Sequence, residues 1–193
     1  MTTTTRSAGG DQRRWLRSYY FLRAAFSFVW VAAVFAVGLA SPAVAAILLI
    51  AYPAWDAVAN YLDAASSGGL AGNRTQAVNI VVSVATTLAV IAALQVSMHG
   101  VLGVFGAWAI LAGLLQLATA LRRWKRQGAQ WAMILSGGQS ALAGGFFIVQ
   151  SGLPQAPSIA AIAGYAAIGA VYFLVSALWL TFKRPGPKRA RPA

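Results

Sequence analysis

The sequence predicts an all-α protein, a polytopic membrane helical bundle of six transmembrane helices. Of its 193 residues, 59% are apolar and only 9% are charged, far below the roughly 25% charged residues of a soluble domain. The apolar residues form six continuous runs, each about 20 residues or slightly longer, which suffices to cross a hydrocarbon core of roughly 30 Å as a helix. Because the runs are continuous rather than alternating, they favour helices over the strands of a membrane barrel.

The predicted spans and two tails account for most of the chain. We place the spans at residues 19–40, 43–65, 77–97, 101–121, 129–150 and 158–182. Residues 1–18 and 183–193 are basic and lack apolar periodicity, so we predict that both are disordered cytoplasmic tails. The remaining connections are too short for a second folded domain.

The distribution of basic residues predicts the orientation. Fourteen of the 15 Lys and Arg residues lie in the two tails and in the second and fourth connections, and the other three connections carry none. Lys and Arg are enriched on the cytoplasmic side of membrane proteins. We therefore expect both termini in the cytoplasm, with anionic lipid headgroups as partners of the basic residues.

Charge and residue content argue against several function classes. The net charge of +12 would suit a nucleic-acid-binding protein, but the basic residues are divided into separate patches beside the spans. With no cysteine and only one histidine, His99, the chain lacks the residues of a thiolate or histidine metal site. No serine has a plausible histidine partner, because His99 falls in an outside turn. We expect no nucleic acid, metal, cofactor or catalytic residue.

One short motif suggests a nucleotide-binding protein, but its context does not. Residues 135–139 are LSGGQ, the signature motif of ABC-transporter ATPases, yet they lie inside an apolar run. The phosphate-binding loop that such proteins require, G-x-x-x-x-G-K-[ST], occurs nowhere in the chain. We therefore expect no nucleotide binding.

A candidate intramembrane polar site lies between the first two spans. Asp56, Asn60 and Asp63 are spaced four and three residues apart and share one face of the second span. Arg23 lies about one turn inside the first span, at a similar depth. A charge at membrane depth is costly unless it is paired or hydrated, so we expect Arg23 to pair with Asp56 or with Asp63.

Three interpretations of this polar face stay open. It is a fixed ion pair that keeps two helices in register, or a proton or cation site on a polar pathway, or a set of side chains that extend to the interface. Pro53, one turn from Asp56, could interrupt the helix and free carbonyl groups there. A dry and fully paired Asp56 favours the structural role, whereas a hydrated funnel that reaches Asp56 favours transport.

The fifth span contains two stripes of small residues spaced four apart, along which another helix could approach closely. The stripes are Ser136, Ser140 and Gly144, and beside them Gly137, Ala141 and Gly145. Packing within the chain and a homo-oligomer contact both fit this pattern.

A spacing of 57 residues relates the fourth and sixth spans, which leaves open a construction from repeated helical hairpins of the same orientation. The corresponding residues are Trp108 and Tyr165, Leu111 and Ile168, Thr119 and Ser176, Ala120 and Ala177, and Leu121 and Leu178.

Three segments resemble the HdeD acid-resistance membrane-protein family and its short-repeat relatives. They are residues 105–116, 130–138 and 164–178, and the similarity covers about residues 80–182. The resemblance implies a small six-span protein of the bacterial inner membrane without catalytic activity, involved in acid or membrane stress tolerance. It supplies no catalytic motif. The alternative is a small transporter or channel for protons or cations that uses the polar face of the second helix.

Overall fold

The computed structural model describes residues 4–123 and 131–182, which form helices joined by short turns, without a strand in these ranges. The helices along these residues are α1 (Thr4–Ala33), α2 (Pro42–Ser66), α3 (Arg74–Leu94), α4 (Met98–Arg123), α5 (Trp131–Ser151) and α6 (Ile159–Phe182). A π-helical turn at Val34–Gly38 continues α1. The predicted all-α class is confirmed.

Five described helical segments are long and apolar enough to cross a membrane, and α5 is not among them. They are Arg14–Gly38, Pro42–Ser66, Arg74–Leu94, Met98–Ala118 and Ile159–Phe182. These segments support a multi-pass membrane protein, while the sixth span stays a prediction.

The described helices end close to the predicted spans, except at the start of α1. This helix begins at Thr4, inside the segment whose composition predicts a disordered tail. Residues 4–18 contain no proline, so a helix that is already formed in the apolar run can add residues outward at low cost. The predicted tail at residues 183–193 and the connection at residues 124–130 lie outside the described residues.

Pro53 lies inside α2 without ending it, so the interruption suggested by the sequence is absent. Proline has no backbone N–H to donate to the carbonyl group of Leu49. In the preceding turn, Trp30 Nε1 of α1 donates to the carbonyl oxygen of Leu48 at 2.7 Å. The Trp30 and Tyr52 rings lie 4.7 Å apart, so large side chains of α1 contact the proline-containing part of α2.

The helices form a closed sequence of neighbours. The most extensive helix contacts are those of α2 with α3, of α4 with α5, and of α6 with α1. The contacts of α3 with α4 come next in extent, and those of α1 with α2 and of α5 with α6 are much smaller. The shared core contains large side chains from several helices, among them Trp30, Leu49, Val90, Phe105 and Ile162.

The α4 and α5 backbones approach closely at two pairs of glycines. A Cβ on Gly113 would lie 2.5 Å from the carbonyl oxygen of Gly137, and a Cβ on Gly144 would lie 2.5 Å from that of Gly106. Both distances are far shorter than a carbon–oxygen contact, so only glycine fits at these points.

Both small-residue stripes of α5 take part in this contact. Gly137 and Ala141 of one stripe lie against Gly113, and Ser140 of the other donates to the carbonyl oxygen of Ala109 at 3.0 Å. Gly145 faces open space, and Ser136 is half-buried. The contacts of the stripes with α4 are therefore packing within the chain.

We expect Gly144→Ala to lower the free energy of unfolding by about 1–3 kcal/mol, because the new methyl group would overlap the Gly106 carbonyl. The matched control is Gly145→Ala at the next residue, where a Cβ meets no atom. There the loss of backbone freedom should leave stability unchanged or raise it by up to about 1 kcal/mol. Thermal unfolding in detergent measures both, and equal melting temperatures would contradict the close approach.

Candidate functional site

The carboxylate of Asp56 is the centre of a hydrogen-bonded cluster between helices. Its Oδ1 pairs with Arg23 Nη2 of α1. Its Oδ2 accepts from Asn60 Nδ2 at 2.9 Å and from Ser83 Oγ of α3 at 2.8 Å. The side chains of Arg23 and Asp56 are only 16% and 15% exposed. Three donors therefore surround a largely buried carboxylate.

The Arg23 guanidinium is enclosed by aromatic groups as well as by Asp56. Nη1 donates to the Tyr19 hydroxyl at 3.1 Å, one helical turn earlier. The guanidinium carbon lies 4.3 Å from the centre of the Phe173 ring of α6, within the range of a cation–π interaction. The positive charge is therefore held by α1, α2 and α6 together.

Ser83 extends the cluster to α4. Its hydroxyl donates to Asp56 and accepts from Trp108 Nε1 at 3.2 Å. Ser83 is only 1% exposed, so its two hydrogen bonds fix the direction in which the hydroxyl points. Five helices, α1 to α4 and α6, thus contribute side chains to the surroundings of one carboxylate.

Asp63 stands apart from this cluster. Its Oδ2 accepts from Gln76 Nε2 of α3 at 3.0 Å, and the described residues place no basic group in an ion pair with it. Of the two partners that the sequence left open for Arg23, the structure brings Asp56 to it. Asn60 joins the cluster, whereas Asp63 lies about two turns nearer the end of α2.

Four members of the cluster were not identified from the sequence as parts of a site: Tyr19, Ser83, Trp108 and Phe173. Ser83 carried the clearest signal, because a serine in an apolar span needs a hydrogen-bond partner. That signal is ambiguous, since a serine can also bond to the backbone of its own helix, as Ser176 does to Tyr172.

No metal site accompanies the cluster in the described part of the chain. No group of three or more His, Cys, Asp or Glu side chains that could hold a metal ion occurs there. His99 Nε2 lies 3.0 Å from the carbonyl oxygen of Leu153 and 3.2 Å from that of Gln155. Both neighbours are acceptors, so the tautomer with a proton on Nε2 links the start of α4 to the connection before α6.

The fold and this cluster define a polytopic helical membrane protein that contains a paired charge inside its bundle. Residues 79–149, which span most of α3, all of α4 and nearly all of α5, match a family described as a short repeat of unknown function (DUF308). The match is consistent with the HdeD-like family of membrane proteins and confirms the resemblance over these residues. No curated protein and no solved structure matches the chain.

We expect Asp56→Ala to lower the free energy of unfolding by about 3–5 kcal/mol, because it leaves the buried Arg23 charge without its partner. Asp63→Ala is the control on the same helix face. It removes one side-chain hydrogen bond, from Gln76, and should cost about 1 kcal/mol. Denaturation in detergent compares them, and an equal loss would show that Arg23 does not depend on Asp56.

Proposed function

We propose that the protein is a six-span protein of the bacterial inner membrane that acts in acid or membrane stress tolerance and has no catalytic activity. The family match at residues 79–149 supports the membrane class, and the resemblance to the HdeD family supplies the physiological role. In this proposal both termini lie in the cytoplasm, as the distribution of Lys and Arg favours.

The geometry of α5 supports its role as the sixth span. Gly106 approaches Gly144 and Gly113 approaches Gly137, so α5 runs antiparallel to α4. The 21 residues of α5 correspond to about 30 Å of helix, the thickness of the hydrocarbon core. A helix of this length that lies along a spanning neighbour is long enough to cross the same layer, which supports the proposed sixth span.

The closure of the Asp56 carboxylate supports a role without ion transport. A carboxylate that exchanges protons or cations needs access to water or to the ion. Here Arg23, Asn60 and Ser83 occupy its oxygen atoms, and the side chain is only 15% exposed. The geometry therefore favours the paired cluster over the transporter or channel.

The partners that we propose are lipids. Arg14, Arg17 and Arg74 are exposed at the ends of their spans on the proposed cytoplasmic side, where anionic headgroups attract basic side chains. Residues 135–139, the LSGGQ sequence, lie within helix α5. We propose no nucleotide, nucleic acid or cofactor as a partner.

The proposed function predicts two results. Liposomes that contain the purified protein should show no proton or cation flux above protein-free liposomes, because the carboxylate is closed. Cells that lack the protein should survive an acid challenge less well than cells that carry it, and the wild-type chain should restore survival.

A flux that is present in the wild type and disappears in Asp56→Asn would overturn the proposal that the protein does not transport ions. It would establish an ion pathway along α2. Equal acid survival with and without the protein would overturn the proposed physiological role. These outcomes are independent, so each part of the proposal can fail separately.

The proposed orientation predicts the labelling of single cysteines, which can be introduced cleanly because the chain has none. Ala40→Cys, in the exposed turn before α2, should react with an impermeant maleimide on the outside of the inner membrane. Ala71→Cys, in the exposed turn before α3, should react only after the membrane is opened. The reverse labelling pattern would show that the protein has the opposite orientation in the membrane.

A further inference from the structure

Three buried serines, one in each odd-numbered helix, precede an aromatic residue with a polar group in the following helix. The pairs are Ser27 and Tyr52, Ser83 and Trp108, and Ser140 and Tyr165. The hydrogen bonds of the second and third pairs measure 3.2 and 2.8 Å. The serines are 4%, 1% and 7% exposed, and the partners of every pair are 25 residues apart. The hydrogen bond is thus present in the second and third hairpins, and a buried serine and a tyrosine hold the corresponding positions in the first.

The serine–aromatic pairs are related by offsets of 56 and then 57 residues, and several helix ends follow the same offsets, whereas α6 begins 61 residues and ends 59 residues after α4. Helix α4 begins 56 residues after α2, and both the start and the end of α5 fall 57 residues after those of α3. The starts of α2 and α4 share a cap as well. Ser41 Oγ accepts from the backbone N–H of Val44, and Ser97 Oγ accepts from that of Gly100.

The buried apolar residues repeat at the same offsets. Three sets of three corresponding residues are all buried: Val34, Val90 and Phe147; Leu49, Phe105 and Ile162; and Pro53, Ala109 and Ala166. Random apolar sequence would place some of these positions on the lipid-facing surface. The agreement in burial shows that equivalent positions also have equivalent surroundings.

The helices are arranged in a ring, because α6 also contacts α1. The contacts of α2 with α3, of α4 with α5 and of α6 with α1 are the most extensive in the bundle. Each joins the second helix of one hairpin to the first helix of the next. Within the hairpins the contacts differ, since those of α3 with α4 are more extensive than those of α1 with α2 or of α5 with α6. The contact between α6 and α1 corresponds to the other two, although its helices lie at opposite ends of the chain.

We propose that the chain consists of three equivalent helical hairpins, α1–α2, α3–α4 and α5–α6, closed around a pseudo-threefold axis, and that the Arg23–Asp56 pair is a functional addition to the first hairpin. The family match at residues 79–149 covers most of the second hairpin and most of one further helix. The repeat that we infer extends over all three hairpins.

The second and third hairpins pack in the ring without a charged pair at the corresponding positions. The residues at the positions of Arg23 and Asp56 are Asn79 and Ala112 in the second hairpin, and Ser136 and Gly169 in the third. A buried ion pair adds little net stability over a neutral replacement of similar volume, and a charge at membrane depth commonly marks a functional position. The ring therefore requires no charge at this position, and function accounts for the pair.

A circular permutant tests the ring. The chain begins at Leu70, runs to Ala193, continues into Met1 and ends at Gly69, so that the native tails connect α6 to α1. If the three hairpins are equivalent, it should insert in the membrane and unfold within a few degrees of the wild type. A permutant that inserts but lacks a cooperative unfolding transition would overturn the ring.

A cross-link tests the same ring in the native chain order, should the permutant fail to insert. The contact of Gly113 with Gly137 corresponds to Ala170 with Ala24, both of which are buried. Ala24→Cys with Ala170→Cys should form a disulfide upon mild oxidation. The control pair, Ala25→Cys with Ala170→Cys, should not, because Ala25 is exposed. Equal cross-linking of both pairs would contradict the equivalence of the α4–α5 and α6–α1 contacts.

The neutral double variant Arg23→Met/Asp56→Asn tests the role of the charges and keeps the volumes similar. Its melting temperature should lie within a few degrees of the wild type, whereas each single variant should melt markedly lower. A double variant as unstable as the single variants would show that the fold needs the charges.

The proposal that the Arg23–Asp56 pair is functional rests on the proposed role in acid tolerance. The same double variant tests it. At wild-type expression it should fail to restore acid survival. Full restoration would overturn the functional assignment of the pair. Failure of the wild-type chain itself to restore survival would instead reject the proposed physiological role and leave the stability result standing.

Discussion

Hydrogen-bonding groups in an apolar environment must find partners within the protein, and this constraint shapes the whole bundle. It accounts for the continuous helices, whose backbone groups bond to one another. It also accounts for the buried side-chain contacts, since an unpaired hydroxyl or indole N–H in such surroundings is costly. Ser140, for example, donates to Ala109 O and contacts the Tyr165 hydroxyl. Most buried polar side chains that the structure describes therefore have a partner, although Trp55 Nε1 and Gln150 Oε1 are buried without a hydrogen bond.

The same constraint applies most strictly to charge. Asp56 would be unfavourable at this depth without Arg23, and Arg23 would be unfavourable without Asp56. The remaining oxygen of Asp56 is occupied by Asn60 and Ser83, while Phe173 covers the guanidinium. The cluster thereby contacts all three hairpins, since Ser83 belongs to the second and Phe173 to the third. Any rearrangement of the pair would therefore also affect the contacts of α2 with α3 and of α6 with α1.

The sequence predicted the elements well because they depend on one strong signal, the length of the apolar runs. It also predicted that Arg23 needs a partner. It could not choose between Asp56 and Asp63, because both lie on one face of α2 and the choice depends on how α1 packs against it. Ser83 was missed for a related reason, since the helix face of a serine decides between a partner in another helix and its own backbone. The start of α1 was missed because the composition of the tail does not show how far a formed helix extends.

Only part of the repeat was visible in the sequence. The physical reason is that each hairpin needs only a few buried contacts in order to pack in the same way. The 57-residue spacing between α4 and α6 relates Trp108 to Tyr165, both of which bond to a serine. In the first hairpin Tyr52 takes the corresponding place, but Pro53, Asp56 and Arg23 stand where the other hairpins have small apolar residues or an uncharged polar residue. The ring requires a buried serine, an aromatic partner and apolar layers at matching depths, and many sequences satisfy that requirement. Charge is not part of it, so the first hairpin could acquire an ion pair, and lose visible similarity, without losing its place in the ring.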